Sequence, residues 1–155
     1  MTVYISLGTN LGHKEENLRK ACCGITEKIG RIRCLSSFYE TQPWGFESEN
    51  RFLNAVAAVD TASSPLEALA ACQEIERGMG RAAKSVNGAY HDRIIDLDLL
   101  FWGNRVIQTP LLTVPHPRAA ERLFVLEPMV EIDPFWVHPV LKVTMLELYR
   151  RLAGH

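Results

Sequence analysis

The sequence has no surplus of positive charge. Its 17 Lys and Arg stand against 18 Asp and Glu, giving a net charge of −1. A nucleic-acid binder carries a basic footprint, and none is visible beyond what a local patch could hold. Long apolar runs are missing as well. None approaches the roughly 20 residues that cross a bilayer, so neither a membrane span nor membrane attachment is expected. The first residues, MTVYISLGTN, lack a basic leader followed by an apolar core, so no signal peptide is expected and a cytoplasmic location is. The four cysteines, Cys22, Cys23, Cys34 and Cys72, never take the C-x-x-C spacing of a zinc or redox motif. They are expected to be small buried thiols in a reducing compartment. Repeats, low-complexity tracts and linkers are also missing, and 155 residues suit a single domain, 1–155, with a full core. A monomer is expected.

What is present reads as alternating elements. VYISL at 3–7 alternates, with Val3, Ile5 and Leu7 on one face of a strand, and GTNLG at 8–12 reads as a turn. A helix follows with Leu18, Ala21, Cys22, Ile25 and Ile29 on one stripe, ended by Gly30. Residues 31–40 read as a strand, 41–50 as a polar Pro/Gly loop and 51–60 as another strand. Ser64, Pro65 and Glu67 spell a capping box with proline at the first helical position. That helix carries Ala68, Cys72, Ile75 and Met79 on one stripe, and residues 81–92 form a loop. A strand containing DLD comes next, then a Gly103-Asn104 hairpin turn into RVIQ. Residues 111–117 are extended, Pro117 can open a short helix, and 144–152 form a terminal helix boxed by Thr144 and Glu147. The order is that of an α+β, ferredoxin-like βαββαβ core with a C-terminal appendage: one mainly antiparallel sheet with two helices on one face.

The chemistry concentrates in RIIDLDLLFW at 93–102. In a strand, residues i and i+2 point the same way, roughly 7 Å apart. Asp96 and Asp98 therefore share one face, and Ile95, Leu97, Leu99 and Phe101 the other. Side-by-side carboxylates repel unless a cation intervenes. Mg²⁺ takes one or two carboxylates plus phosphate oxygens, and paired metals clamp a reacting phosphoryl group. The bland alternative is a solvated strand edge. Arg81, Lys84 and Arg93 lie close in sequence, either as a phosphate-binding set or as ordinary surface charge. Gln73 and Glu76, a turn apart on a helix, either reach the same site or form an exposed face. GTNLGHK at 8–14 fails as a P-loop because the spacing is wrong and the lysine is misplaced. Phe52 and Asn54 share a strand face with Trp44 in the loop before them, a set that fits a planar heterocycle or, equally, a plain core. His116, fixed between two prolines, makes either a local hydrogen bond or a phosphate contact.

Five stretches in order across about residues 3–135 resemble the 6-hydroxymethyl-7,8-dihydropterin pyrophosphokinase family of folate biosynthesis: YISLGTNLG, SSFYETQPWG, FLNAV, DRIIDLDLLFWG and LTVPHPRAAERLFVLEP. The resemblance implies an ATP:pterin diphosphotransferase that forms the pterin diphosphate and AMP. It implies that Asp96 and Asp98 hold two Mg²⁺ ions. It implies a pterin pocket of Thr41, Gln42, Trp44, Phe52, Asn54 and Phe124. ATP would meet Gln73, Glu76, Leu99, Thr113 and His116, with Arg81, Arg93 and Arg122 around the phosphates. Arg81 and Arg93 join the two aspartates as catalytic groups. The loop before DLD departs from the family pattern: Ala83 replaces a frequent arginine, with Lys84 adjacent as an ATP-binding candidate, and Tyr90 stands near the usual tryptophan. Leu111 also occupies a position that is sometimes arginine. The loop 81–92 is expected to be mobile without ligands and to close over both substrates. The rival readings are a two-metal phosphoesterase and a non-catalytic ligand sensor.

Overall fold

The computed structural model describes residues 1–41, 51–80 and 94–154. Its centre is a five-stranded antiparallel sheet of β1 (Thr2–Thr9), β2 (Gly30–Leu35), β3 (Tyr39–Thr41), β4 (Phe52–Thr61) and β5 (Asp96–Trp102). The order is β2-β4-β1-β5, with β3 also pairing to β4. Helices α1 (Lys14–Lys28) and α2 (Pro65–Gly78) complete the βαββαβ order, so the ferredoxin-like core is present.

The first layer follows from the periodicities. Leu18, Ala21 and Ile25 of α1 and Ala68, Cys72 and Ile75 of α2 pack on Val3, Ile5, Leu7, Ala57 and Val59 of the sheet. Ser64 Oγ accepts from Glu67 N at 3.2 Å while Glu67 Oε1 accepts from Ser64 N at 2.8 Å, closing the expected box. Gly30 does not end α1 as a left-handed cap; it opens β2. A Cβ there would stand 2.0 Å from Asp60 O, so glycine is required by the close approach of β4.

The second face is covered over part of its length. Helices α3 (Leu123–Ile132) and α4 (Met145–Ala153), preceded by a 3₁₀ turn at Ala119–Glu121, cover it with Val125, Leu126, Met129, Met145 and Leu148. They meet Tyr4, Val56, Ala58, Leu100 and Phe101. The appendage is thus a second helical layer, and the two helices expected on one face are α1 and α2. Helix α3 is not read from the sequence because Pro128 lies inside it, a residue that removes a helical donor.

Other expectations need correction. Residues 31–40 are not one strand: the chain breaks at Ser36, whose Oγ takes the Val56 N–H at 2.9 Å. Phe101 does not share a face with Leu97 and Leu99. The β1–β5 register passes from Ile5↔Leu99 to Tyr4↔Phe101, so Leu100 is an extra residue. This bulge turns Phe101 to the α3–α4 side and returns Trp102 to the first core. After the Gly103 turn, RVIQ does not run back along β5 as a hairpin beyond a bridge between Trp102 and Arg105. Instead β6 (Ile107–Gln108) pairs with β7 (Thr113–Val114). The Thr144 box is half closed, because Thr144 Oγ1 accepts from Glu147 N at 3.1 Å while Glu147 Oε1 turns to Arg151. Of the cysteines only Cys72 is buried; Cys23 and Cys34 are exposed and Cys22 is half-buried. Among the described residues, no helix is long and apolar enough to cross a membrane.

Candidate active site

Residues paired across neighbouring antiparallel strands project to the same face of the sheet. Asp96 pairs with Gly8, Gly8 with Asn54, and Asn54 with Tyr39. These four residues form a row crossing β5, β1, β4 and β3. The adjacent rows add Asp98 opposite Ser6, and Phe52 opposite Thr41. Two strand spacings separate Asp96 from Asn54, about 10 Å. The acid pair and the amide–aromatic group therefore stand on one face, the face that α3 and α4 cover further along.

Each member is fixed locally. Asn54 is buried, and its Nδ2 donates to Thr41 Oγ1 at 2.7 Å, which orients the amide. Along β1 the side chains on this face shrink from Tyr4 to Ser6 to Gly8. A Cβ on Gly8 would lie 3.0 Å from Asn54 Oδ1 and 3.8 Å from Phe52 Cδ1. The sequence places Gly8 in a turn, but it belongs to β1, and that decrease in size is the signal that marks it. At the start of α3, Phe124 is half-buried, and the Arg122 guanidinium carbon stands 5.4 Å from its ring centroid.

At the edge of the sheet, an open cleft of about 220 Å³ brings Asp98, Leu99, Thr113 and His116 together with Leu69 and Cys72 of α2. His116 is held there by its backbone N–H donating to Leu100 O at 2.8 Å, and its Nδ1 accepts from Arg118 N at 3.2 Å. Burial and then the Arg122 guanidinium push its pKa below the usual imidazole value, with Asp96 pulling the other way. Asp96 and Arg122 thus act on His116 with opposite sign. Burial, then the carboxylates of Glu76 and Asp98, push the Cys72 thiol up to about 12, so it stays protonated at neutral pH.

Glu76 is buried, and its Oε2 accepts from Leu97 N at 2.9 Å, between the two aspartates. It thereby holds β5 on the edge that β1 does not pair. Gln73 is exposed on α2, one turn beyond Leu69, and does not itself line the cleft. Gln42, Trp44, Arg81, Lys84 and Arg93, and the loop 81–92, lie outside the described residues. Among the described residues no group of three or more His, Cys, Asp or Glu is arranged to hold a metal by protein ligands alone.

A family model described as 7,8-dihydro-6-hydroxymethylpterin-pyrophosphokinase matches residues 4–134. The chain belongs to the 7,8-dihydro-6-hydroxymethylpterin-pyrophosphokinase family. It is similar to the 2-amino-4-hydroxy-6-hydroxymethyldihydropteridine pyrophosphokinase of Porphyromonas gingivalis, 46% identical over 138 residues, which cover 88% of this chain and 93% of that protein. The Bacillus subtilis protein of the same name is 41% identical over 130 residues, 83% of this chain and 76% of its own length. Among solved structures, wild-type Plasmodium falciparum HPPK-DHPS with pteroate superposes with a TM-score of 0.79 at 18% identity. That match covers 99% of this chain but 42% of the solved one, so this chain spans less than half of that protein, and the likeness concerns the fold. Family membership makes the chain a pterin pyrophosphokinase, an enzyme of folate biosynthesis, and favours neither the phosphoesterase nor the sensor reading.

Proposed function

We propose that this pyrophosphokinase transfers the terminal pyrophosphoryl group of ATP to the hydroxymethyl oxygen of 6-hydroxymethyl-7,8-dihydropterin, with Mg²⁺ held by Asp96 and Asp98. The supporting observation is the row from Asp96 through Gly8 to Asn54, which sets an acid pair and an oriented amide on one face of the sheet. The donor set fits the metal. Two half-buried carboxylates, with no further protein ligand gathered among the described residues, suit Mg²⁺ ions whose other ligands are phosphate oxygens and water. When bound there, Mg²⁺ supplies neutralisation of phosphate charge and alignment of the triphosphate.

The chain's own residues do the rest. Asn54, oriented by Thr41, hydrogen-bonds the edge of the pterin, and Phe52 and Phe124 hold its ring between them. Gln42 and Trp44 join this pocket on the strength of the resemblance. ATP occupies the cleft with Leu99, Thr113 and His116, its phosphates running past Arg122 toward the aspartates. Gln73 and Glu76 serve the nucleotide from α2, Glu76 by holding β5. Arg81, Lys84 and Arg93 contribute cationic charge around the phosphates. In the reaction the hydroxymethyl oxygen bonds to the β-phosphorus, the bond from that phosphorus to the α–β bridging oxygen breaks, and AMP leaves with that oxygen. Asp98 accepts the hydrogen bond of the attacking hydroxyl, whose proton is released to solvent as the oxygen–phosphorus bond forms. No protein nucleophile is needed, because positioning and electrostatics carry such transfers. The domain works as a cytoplasmic monomer on small molecules alone.

Incubation with ATP, Mg²⁺ and the hydroxymethyl dihydropterin tests this. AMP formed only when the pterin is present is the expected result. Release of ADP or inorganic phosphate, or AMP formed equally without pterin, would overturn it.

A further inference from the structure

One polar cluster at the rim of the site's face takes no part in the chemistry proposed for the substrates. Glu131, on α3, accepts from Ser37 N at 2.9 Å on Oε1 and at 3.0 Å on Oε2. It also accepts from Ser37 Oγ at 2.8 Å and from Tyr39 Oη at 2.6 Å. A single carboxylate thus gathers donors from both the β2–β3 connection and the start of β3. Although burial raises it, these hydrogen bonds hold the Glu131 carboxyl below the usual range. Burial, then the bond to Glu131, push the Tyr39 phenol up to about 12, so it remains a donor across neutral pH.

The location of this clamp decides its meaning. Among the described residues, strand β3 runs over three residues, Tyr39–Thr41, and pairs with β4. Tyr39 pairs with Asn54, and Thr41 holds the Asn54 amide. The same helix carries Phe124 in its first turn. Glu131 therefore joins the element bearing one ring of the pocket to the short strand that aims the amide. Beside its three register pairs with β4, this strand has a second anchor in the tether of hydrogen bonds to Glu131.

We propose that Glu131 is a positioning residue for pterin recognition, acting through Ser37, Tyr39 and β3 on the Thr41–Asn54 pair. The inference rests on the assignment of Asn54 to the pterin. Releasing the tether lets β3 drift, and the amide loses its preorganised orientation. The nucleotide cleft, built from β5, α2 and β7, shares no element with the tether and is left unchanged.

The test separates the two ligands. Affinity for a non-hydrolysable ATP analogue with Mg²⁺ is measured alone, and affinity for the hydroxymethyl dihydropterin is measured in its presence. In Glu131→Ala, pterin affinity should fall by about tenfold or more while analogue affinity stays within about twofold. Glu131→Gln keeps an acceptor for Tyr39 and should recover most of the loss. Pterin affinity unchanged in folded Glu131→Ala, or both ligands weakened alike, overturns the inference. If Glu131→Ala fails to fold, Tyr39→Phe removes one hydroxyl only: a selective fall of about threefold for pterin supports it, and no fall overturns it. Asn54→Ala is the control. If it loses pterin binding while Glu131→Ala does not, only the role of Glu131 falls. If Asn54→Ala binds pterin like the unmodified chain, the pocket assignment falls, and this inference with it.

Discussion

Gly8 and Asn54 face each other across β1 and β4 so closely that a Cβ on Gly8 would stand 3.0 Å from the Asn54 amide oxygen. That is tighter than ordinary van der Waals contact, and the amide cannot simply swing away because Thr41 holds its nitrogen. Gly8→Ala should therefore leave the fold in place and displace the Asn54 side chain. Overpacking of this kind costs about 1–3 kcal/mol, here taken mainly from pterin binding. A rise in KM for the pterin without a matching rise for ATP is the expected readout, and unchanged KM values for both substrates would refute it.

Asp96→Ala and Asp98→Ala should each lower kcat by about 10²–10³-fold, the scale of removing one preorganised electrostatic group. Both side chains are only half-buried on β5, and the strand is anchored by Leu97, Leu99 and Leu100 in the two cores. The fold should accordingly be retained, so that lost turnover reports on the site and not on unfolding. Retained turnover in either variant, measured by AMP formation at saturating Mg²⁺, would contradict the assignment.

The caps separate stability from activity. Ser64 closes a reciprocal box with Glu67, whereas Thr144 satisfies only one donor of α4. Ser64→Ala should cost about 1 kcal/mol of stability in a denaturant titration, with Thr144→Ala costing less. Neither residue touches the site, so kcat should be unchanged in both. A larger loss for Thr144→Ala would show that the box geometry is not what stabilises α2.

Much of this architecture is legible in the amino-acid sequence, because it rests on short-range pattern. The alternation of Val3, Ile5 and Leu7, the stripe of α1 and the box at Ser64 are all local. So is the shared face of Asp96 and Asp98, which follows from the period of a strand. What is not legible depends on pairing partners. The bulge at Leu100 changes which core Phe101 enters, and nothing in LDLLFW announces it. Gly30 looks like a helix terminator, yet the reason for glycine is the carbonyl of Asp60, a residue of another strand. Helix α3 is obscured by Pro128, whose cost is offset by burial of Val125, Leu126 and Met129 against the sheet. Glu131 is invisible for the same reason as the bulge, since its partners lie more than 90 residues away along the chain.

The connection between α3 and α4 should respond to acid through His138. Its Nδ1 accepts from Val140 N at 3.2 Å and from Leu141 N at 3.1 Å, and its ring packs edge-on against Phe101 at 5.5 Å. A proton on Nδ1 would set a donor against two donors. Burial accordingly lowers the His138 pKa from its usual value of about 6.5. The sign follows: between the folded and unfolded values the unfolded chain binds more protons, so stability rises with pH there. The contribution is fully present above about pH 6.5 and is lost as pH falls through the depressed folded value. His116, lowered in the same direction, adds to the same window, whereas Glu67 and Glu131, with lowered carboxyl values, act at more acid pH. Urea midpoints between about pH 7.5 and 5 should fall for the parent chain and fall less for His138→Asn, whose amide oxygen can accept the same two N–H groups without titrating. An undiminished acid slope in that variant would mean that His138 is not the group that takes up the proton.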